Sequence, residues 1–337
     1  MPIILAVETS CDETAVAIIK NGKLLSNVVS SQVDVHKKSG GVIPDVAARL
    51  HVENIISILQ QALKEAKIHL KDIKAIAVTR GPGLITALHI GVQAAKTLSL
   101  ILNKPLIPVH HLAAHIYACE FVKKFRFPLI ALIISGGSTA IILMKKHLDF
   151  KIIGETRDDA VGECFDKIAR FLGFDYPGGA KIDELAKKGK YKYELPTPLL
   201  KDRYNFSFSG LKTAVINLVK KEEQKKEKIN YNNLCFSFEK VAIDTIIQKT
   251  FNAVFDYKAK QVLIAGGVSA NSYLRENMLL MAKNNNIDII IPPIWCTTDN
   301  AAMVAKIAER LYKKKMFASF FLDADPNWKI NDFCNFE

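Results

Sequence analysis

The 337-residue chain lacks paired cysteines, a long uncharged apolar run and a basic leader. Its six cysteines are scattered, with no Cys-x-x-Cys pair, which is typical of a reducing compartment and excludes a disulfide framework. No apolar stretch approaches the roughly 20 residues that span a bilayer, and Glu8 interrupts the first apolar run, as no signal sequence would allow. We therefore expect a soluble cytoplasmic protein that does not bind membranes.

The chain has fewer acidic residues than basic ones. The chain has 46 Lys and Arg against 34 Asp and Glu, a formal net charge of +12. This balance favours a polyanionic partner such as nucleic acid or anionic lipid, although a lysine-rich composition alone gives the same value. A hydrophobic content of 49% excludes a disordered chain. The length predicts two domains, with a one-domain barrel as the alternative.

Neither the P-loop pattern nor the dinucleotide fingerprint occurs, so any nucleotide must be held in another way. Two Gly-Gly pairs are candidates: the SGGS turn at 135–138 lies between two predicted strands, and Gly266-Gly267 follows the predicted strand 261–265 and opens a helix. Backbone amides in such turns can approach a phosphate closely. Each pair alone is equally typical of an ordinary turn, but together they favour a nucleotide.

The two halves of the chain repeat one order of predicted elements: a hairpin, a third strand, a helix, a strand, a Gly-rich turn and a helix. In the first half the hairpin turns at Asn21-Gly22. The repeat predicts an α/β protein with an internal duplication, and chance alternation is the alternative. Helices are predicted over 43–65, 84–102, 159–172, 231–255 and 269–283.

The glycine-bearing hairpins resemble those of the superfamily that contains actin, sugar kinases and heat-shock ATPases. This resemblance implies a duplicated actin-like α/β fold with two domains around a nucleotide cleft. We expect an N-terminal domain over 1–125, a C-terminal domain with helical insertions over 126–310, and a tail over 311–337.

Two histidines lie four residues apart in a predicted helix. The imidazoles of His111 and His115 can therefore project from one face toward one metal ion, although such a pair is often a coincidence. Asp299 is a plausible third ligand that would favour a metal site. A zinc protease is excluded, because Leu112 stands where that motif needs its general base.

Three carboxylates, Glu8, Asp12 and Glu13, fall within six residues in VETSCDET. Such groups repel one another unless a cation, a hydrogen-bond donor or water compensates. They indicate either a solvated turn or a site for acid/base or metal-water chemistry. Asp12 and Glu13 are our candidates for a catalytic proton acceptor.

These motifs, taken together, resemble the TsaD family of tRNA adenosine threonylcarbamoyltransferases, whose archaeal and eukaryotic members are the catalytic subunit of the KEOPS complex. The resemblance covers about residues 4–308. It rests on the following motifs: VETSCDETAVAI from Val7, GGVIPDVAARLH from Gly40, TRGPGL from Thr79, HHLAAH from His110, ISGGST from Ile134, GECFDK from Gly162, YPGG from Tyr176, FSFSGLKTA from Phe206, AGGVSAN from Ala265 and CTTDNAAM from Cys296.

The resemblance implies transfer of a threonylcarbamoyl group from threonylcarbamoyl-AMP to the exocyclic amine of the adenosine 3′ to the anticodon, in tRNAs that read codons beginning with A. It implies one divalent metal per chain, Fe²⁺ or alternatively Zn²⁺, held by His111, His115 and Asp299. It also implies tRNA as substrate, a paralogous TsaB-like subunit that binds no metal, and a small TsaE-like ATPase.

A set of substrate-binding residues is likewise implied by the resemblance. Two positions depart from the family pattern, Ser138 for His and Ala180 for Pro, and both adjoin that set. The expected contacts to the nucleotide-bearing substrate are Ile133, Ile134, Ser135, Gly136, Gly137, Asp166, Gly179, Asp183 and Asn271.

Overall fold

The computed structural model describes residues 2–198 and 201–333. Contacts divide the chain into a first unit, 1–124 with 298–337, and a second unit, 125–297. The last four residues of the expected tail, which include Cys334, lie outside the described residues.

The strands are β1 (Ile3–Glu8), β2 (Glu13–Lys20), β3 (Lys23–Ser31), β4 (Ala75–Gly81), β5 (Leu106–His110), β6 (Leu129–Ile134), β7 (Thr139–Met144), β8 (Lys151–Glu155), β9 (Gln261–Ala265) and β10 (Asp288–Ile290). The helices are α1 (Val33–Lys37), α2 (Pro44–Ala66), α3 (Ile85–Leu102), α4 (His111–Ala118), α5 (Val161–Phe171), α6 (Gly179–Ala186), α7 (Ser209–Gln224), α8 (Tyr231–Asp256), α9 (Ser272–Asn284) and α10 (Ala301–Lys313).

The first unit contains a mixed sheet in the order β3-β2-β1-β4-β5. β1, β2 and β3 are antiparallel, whereas β4 pairs in parallel with β1 and with β5. The predicted hairpin is confirmed: Asn21 and Gly22 both have positive φ and join Lys20 to its partner Lys23. That pair of left-handed residues matches the twist of the two strands.

Helices cover this sheet because side chains of its buried strands alternate between two faces. Ile3, Leu5 and Val7 of β1 join an apolar cluster with residues of α2 and α3, while α10 contacts β1 and β2. Among the described helices, α3 is long and apolar enough to cross a membrane. It packs against β4 and α2, so core packing explains its composition.

The second unit repeats this topology. Its sheet has the order β8-β7-β6-β9-β10, with β6, β7 and β8 antiparallel and with β9 parallel to both β6 and β10. The strands therefore correspond one to one with those of the first sheet, and the predicted duplication is confirmed. The connection from β8 to β9 holds four helices, α5 to α8, where the first unit has α1 and α2.

The structure corrects the expected end of the C-terminal domain. Residues 298–310 belong to the first unit, because α10 packs on β1, β2 and α4. The tail continues in the same unit: Ala318 bridges Leu106 of β5, and the ring of His110 contacts the backbone carbonyl of Trp328 at 2.8 Å. Sequence spacing did not indicate this return of the chain to its first sheet.

Other boundaries also differ from prediction. The helix expected over 269–283 is a short 3-10 turn, Gly267–Ala270, followed by α9, because Asn271 has extended backbone and caps α9 through Leu274 N–H at 2.8 Å. The short strands β5 and β10 were not predicted. β5 contains Pro108, which weakens a strand pattern, and β10 has only three residues.

Candidate metal centre and nucleotide site

The three predicted metal ligands come together in the first unit. β5 ends at His110 and α4 begins at His111, so His111 and His115 lie one helical turn apart. Asp299 directly precedes Asn300, the N-cap of α10, and α10 packs against α4. The possible ligand atoms of the three side chains all lie within 4.8 Å of one another.

The spacing of these atoms fits one ion. Asp299 Oδ1 is 3.0 Å from His115 Nε2 and 3.5 Å from His111 Nε2. Ligands that are each about 2.1 Å from a metal, at octahedral or tetrahedral angles, lie roughly 3.0–3.4 Å apart. Two imidazoles and one carboxylate are ordinary ligands for iron(II) or zinc, and they leave positions open for substrate.

Charges in this cluster perturb one another strongly. Burial alone would lower the pKa of His111, but the carboxylates of Asp299 and Glu8 raise it to about 9. Burial alone would raise the pKa of Asp299, but the two histidines hold it at about 2. The two carboxylates thus favour a positive charge at His111.

Glu8 adjoins the metal centre through its contact with His111. Its fully buried carboxylate accepts hydrogen bonds from Thr79 Oγ1 and Ser10 N–H, both at 2.6 Å, and lies 3.4 Å from His111 Nδ1. Burial alone would raise the pKa of Glu8, but the hydrogen bond and charge of His111, aided by the hydrogen bond of Thr79, lower it. A carboxylate on the outer nitrogen leaves Nε2 facing the ion, an arrangement common around metal-bound histidines. Sequence reasoning grouped Glu8 with the acids but did not assign this role, which its place at the end of a buried strand could have suggested.

The two catalytic candidates lie in the same unit, where the chain enters β2. Asp12 is buried, and Glu13 accepts a hydrogen bond from Ser31 Oγ at 3.3 Å. Burial, together with the charges of Asp299 and Asp12, raises the pKa of Glu13 to about 10. The charges of Asp12 and Asp299 disfavour ionisation of Glu13, so a cation beside these carboxylates would be stabilising.

The predicted SGGS turn lies in the second unit, between β6 and β7. It is closed by Ser135 N–H to the Ser138 carbonyl at 2.8 Å and by Ser138 N–H to Ser135 Oγ at 3.0 Å. A Cβ added at Gly136 or Gly137 would meet nothing within 4 Å, so open space lies beside both. Ile133 and Ile134 are fully buried in β6, and only their backbone could reach a ligand.

The second glycine pair adjoins this turn. Gly266 has φ +92°, and a Cβ there would lie 2.5 Å from the Ile134 carbonyl and 3.3 Å from Ser135 Cβ. Only glycine permits this conformation and approach. Because β6 and β9 are parallel neighbours, their carboxyl ends bring both turns together, the usual place for a ligand in such sheets.

Of the remaining expected substrate residues, Asp166 and Gly179 bond each other, whereas Asp183 and Asn271 bond neighbouring residues. Asp166 Oδ1 accepts the Gly179 N–H at 3.3 Å, at the start of α6. Asp183 accepts Ser272 N–H at 3.1 Å, which places α6 beside Asn271. Asn271 Nδ2 donates to Glu239 Oε1 at 2.6 Å.

Glu239 is a residue that the sequence analysis missed. It lies on α8, is 2% exposed, and lacks any motif signal of its own. Burial, aided by the nearby charge of Asp183, raises the pKa of Glu239 to about 7. A buried carboxyl group with a pKa near neutrality, beside the two expected ligand-contacting residues Asn271 and Asp183, marks a candidate functional position.

Comparison with known proteins supplies the family. The family model described as TsaD, tRNA N6-adenosine threonylcarbamoyltransferase, matches residues 23–306. This chain belongs to that family. It is 50% identical over 331 residues to the tRNA N6-adenosine threonylcarbamoyltransferase of Bacillus thuringiensis strain Al Hakam, covering 97% of this chain and 96% of that one. It is 49% identical over 333 residues to the enzyme of the same name from Staphylococcus aureus strain Mu3, covering 98% of each.

Solved structures give the fold. Component A of Acidaminococcus fermentans (R)-2-hydroxyglutaryl-CoA dehydratase matches with a TM-score of 0.55 at 15% identity, over 94% of this chain and 100% of that one. Full-length HypF in its phosphate- and nucleotide-bound form matches with a TM-score of 0.64 at 15% identity, over 94% of this chain and 47% of that one. The TsaD-family chain therefore has the duplicated actin-like α/β fold that the sequence predicted.

Replacing Glu239 by Gln should make stability less dependent on pH. The raised pKa means that folding favours the protonated carboxyl, so its contribution is complete below pH 4.5 and is lost as pH rises through 7. Gln imitates the protonated form at every pH. We expect equal thermal midpoints at pH 5 and a Gln variant that is more stable at pH 8, by up to roughly 3 kcal/mol.

The exposed Glu184 on α6 offers a control, since Glu184→Gln removes only surface ion pairs with Lys181 and Lys188. That control should show no gain with rising pH. A stability difference between Glu239→Gln and the parent that stays constant from pH 5 to pH 8 would contradict the assignment.

Proposed function

We propose that this chain transfers threonylcarbamoyl from threonylcarbamoyl-AMP to the exocyclic amine of the adenosine 3′ to the anticodon, in tRNAs that read codons beginning with A. The observation that carries the proposal is the His111, His115 and Asp299 cluster in a chain of the TsaD family. A small-molecule kinase of the same fold would need a carboxylate base but no such cluster. The reaction is acyl transfer to a weak nucleophile, in which positioning matters more than strong base catalysis.

His111 Nε2, His115 Nε2 and Asp299 would hold one divalent ion, and Glu8 would fix the ring of His111. Two histidines and one carboxylate with open positions are typical of iron(II), so we propose Fe²⁺, with Zn²⁺ as the alternative. The ion would supply Lewis-acid polarisation of the threonylcarbamoyl carbonyl and a fixed template for it.

Other groups of this chain, backbone amides among them, then bind the adenylate and accept the proton. The amides of Gly136 and Gly137 bind the adenylate phosphate, and Asp166, Gly179, Asp183 and Asn271 hold its nucleoside. Ile133, Ile134 and Ser135 contribute by fixing the turn that presents those amides. Asp12 or Glu13 accepts the proton that leaves the attacking amine, and Glu13 does so only in its ionised form, which a cation held nearby would favour.

The partners follow from charge and from one exposed helix face. A net charge of +12 suits tRNA, whose phosphates attract lysine and arginine. Val52 and Ile56, one turn apart on α2, are 56% and 65% exposed, an apolar stripe that suits a protein partner. We infer that the TsaB-like subunit covers this stripe, that the TsaE-like ATPase acts with the pair, and that the assembly is cytoplasmic.

The direct test is a transfer reaction with tRNA, threonylcarbamoyl-AMP, ATP, Fe²⁺ and both partner subunits, followed by mass analysis of the nucleosides. We expect threonylcarbamoyladenosine to form, and loss of one proton acceptor in Asp12→Asn or Glu13→Gln to slow it by about 10²-fold or more. Glu53→Gln, at an exposed position of α2, is the control and should react like the parent. Transfer of the ATP γ-phosphate without any modified adenosine would favour the kinase. Full activity of the partners without this chain would make it a non-catalytic subunit.

The role of the SGGS turn is testable by adding bulk to it. Gly137→Val places a branched side chain in open space beside the turn, so folding should be retained while adenylate affinity falls by about tenfold or more. Calorimetric titration with AMP measures the change. Gly41→Val, which also meets nothing within 4 Å, is the matched control. An unchanged affinity in folded Gly137→Val would move the nucleotide site elsewhere.

A further inference from the structure

A chain of buried polar side chains connects the helical region after β3 with residues 11–14, the segment that carries Asp12 and Glu13. Its members are His36 on α1, Gln32 just before α1, and His51 on α2, and each is at most 3% exposed. Neither the metal centre nor the proposed nucleotide site uses these groups. Three polar side chains buried this deeply cost stability unless their hydrogen bonds are made.

The hydrogen bonds of His51 have a determined direction. Its Nε2 lies 2.9 Å from the Cys11 carbonyl, which can only accept, so Nε2 carries the proton. Burial lowers the pKa of His51, which keeps the ring neutral. Nδ1 therefore accepts, from the Thr14 hydroxyl at 2.7 Å and from Gln32 Nε2 at 3.4 Å.

The hydrogen bonds of Gln32 and His36 also have a determined donor and acceptor. Gln32 Nε2 also lies 3.3 Å from the Ala47 carbonyl, which fixes the amide so that its oxygen faces His36 Nε2 at 3.2 Å. His36 Nδ1 then accepts the Ile43 N–H at 3.4 Å. Every donor in the series meets an acceptor, so the series specifies one arrangement of α1, α2 and the segment 11–14.

The segment is held on both sides of its acids. His51 bonds Cys11 before them and Thr14 after them, and the Gln32 N–H bonds the Asp12 carbonyl at 3.0 Å. The segment that carries Asp12 and Glu13 is thus held by three hydrogen bonds from outside its own strand, at the Cys11 and Asp12 carbonyls and at the Thr14 hydroxyl. A displacement of about 1 Å in a reacting group can cost about 10²-fold in rate.

We propose that His51 is a positioning residue: from α2 it holds residues 11–14 so that the carboxylates of Asp12 and Glu13 lie where the transfer reaction needs them. The inference rests on the proposed function for its activity readout, but its structural readout needs no substrate. Among the described residues, the side chain of His51 bonds Cys11, Thr14 and Gln32, none of which is a predicted metal ligand. Its effect therefore falls on turnover rather than on substrate affinity or metal content.

Three variants separate its bonds. His51→Phe keeps the ring shape and removes both bonds. His51→Gln places an amide N–H near the position of Nε2 and can still bond Cys11, whereas His51→Asn places an oxygen near Nδ1 and can bond only Thr14. Asn54→Ala, on the same helix, is the control, because Asn54 bonds only the carbonyl of Leu50 within α2.

For His51→Phe we expect kcat to fall about 10²-fold, with KM for threonylcarbamoyl-AMP within about twofold of the parent and equal metal content. His51→Gln should recover most of that loss, His51→Asn should not, and Asn54→Ala should behave as the parent. Unchanged kcat in His51→Phe, or equal impairment of the Phe and Gln variants, would overturn the proposal.

Amide hydrogen exchange provides the substrate-free readout. We expect the peptide 9–16 of folded His51→Phe to exchange at least about tenfold faster than in the parent, while β4 stays protected and His51→Gln restores the slow rate. If the parent itself modifies no tRNA, the proposed function fails and this readout alone decides. Unchanged exchange over 9–16 in His51→Phe then overturns the positioning role.

Discussion

The approach of one carboxylate to two imidazoles is the constraint on which the first unit depends. Asp299 lies 188 residues beyond His111 in the chain, yet Oδ1 of Asp299 is 3.5 Å from that ring and 3.0 Å from His115. The contact exists because α10 returns to pack on β1, β2 and α4. Against the effect of burial, the carboxylates of Asp299 and Glu8 raise the pKa of His111 to about 9, and the charge of Asp299 adds to burial in raising the pKa of Glu13 to about 10, so this cluster favours a positive charge.

Buried polar groups next to this centre hold its residues in place. Glu8, at the end of β1, fixes His111 through a buried carboxylate that also binds Thr79 of β4. His51 plays a parallel part for residues 11–14 from the side of α2. The exposed stripe of α2 lies on the same helix as His51, so a subunit bound there would restrain the helix that holds those residues.

Much of this architecture followed from the sequence. The repeated order of strands and Gly-rich turns predicted the duplication. At the end of β9, glycine is required at 266 because φ is +92° and a Cβ would lie 2.5 Å from the Ile134 carbonyl oxygen. The histidine spacing predicted two ligands, because a helix places residues four apart on one face. Asp299 could be suggested only by its place before a helix, and the resemblance supplied Asp166, Gly179, Asp183 and Asn271.

What the sequence could not predict depends on long-range packing. Residues 298–310 were expected in the second domain because they follow it along the chain, and nothing local reveals that α10 closes on the first sheet. Glu239 lies in no motif, and His51 ends the motif GGVIPDVAARLH without a role that the motif assigns, so the roles of both come from burial against Asn271 and Cys11 respectively. Pairings of this kind are set by the folded topology rather than by residue spacing.

Metal content measured on the purified protein tests the central claim most directly. The parent, isolated without chelator, should contain one equivalent of iron or zinc, and the double variant His111→Ala, His115→Ala should contain almost none, because a single carboxylate cannot hold the ion. His89→Ala, which removes an exposed histidine of α3 outside the cluster, should keep the parent's content. Equal metal in the double variant and the parent would contradict the account.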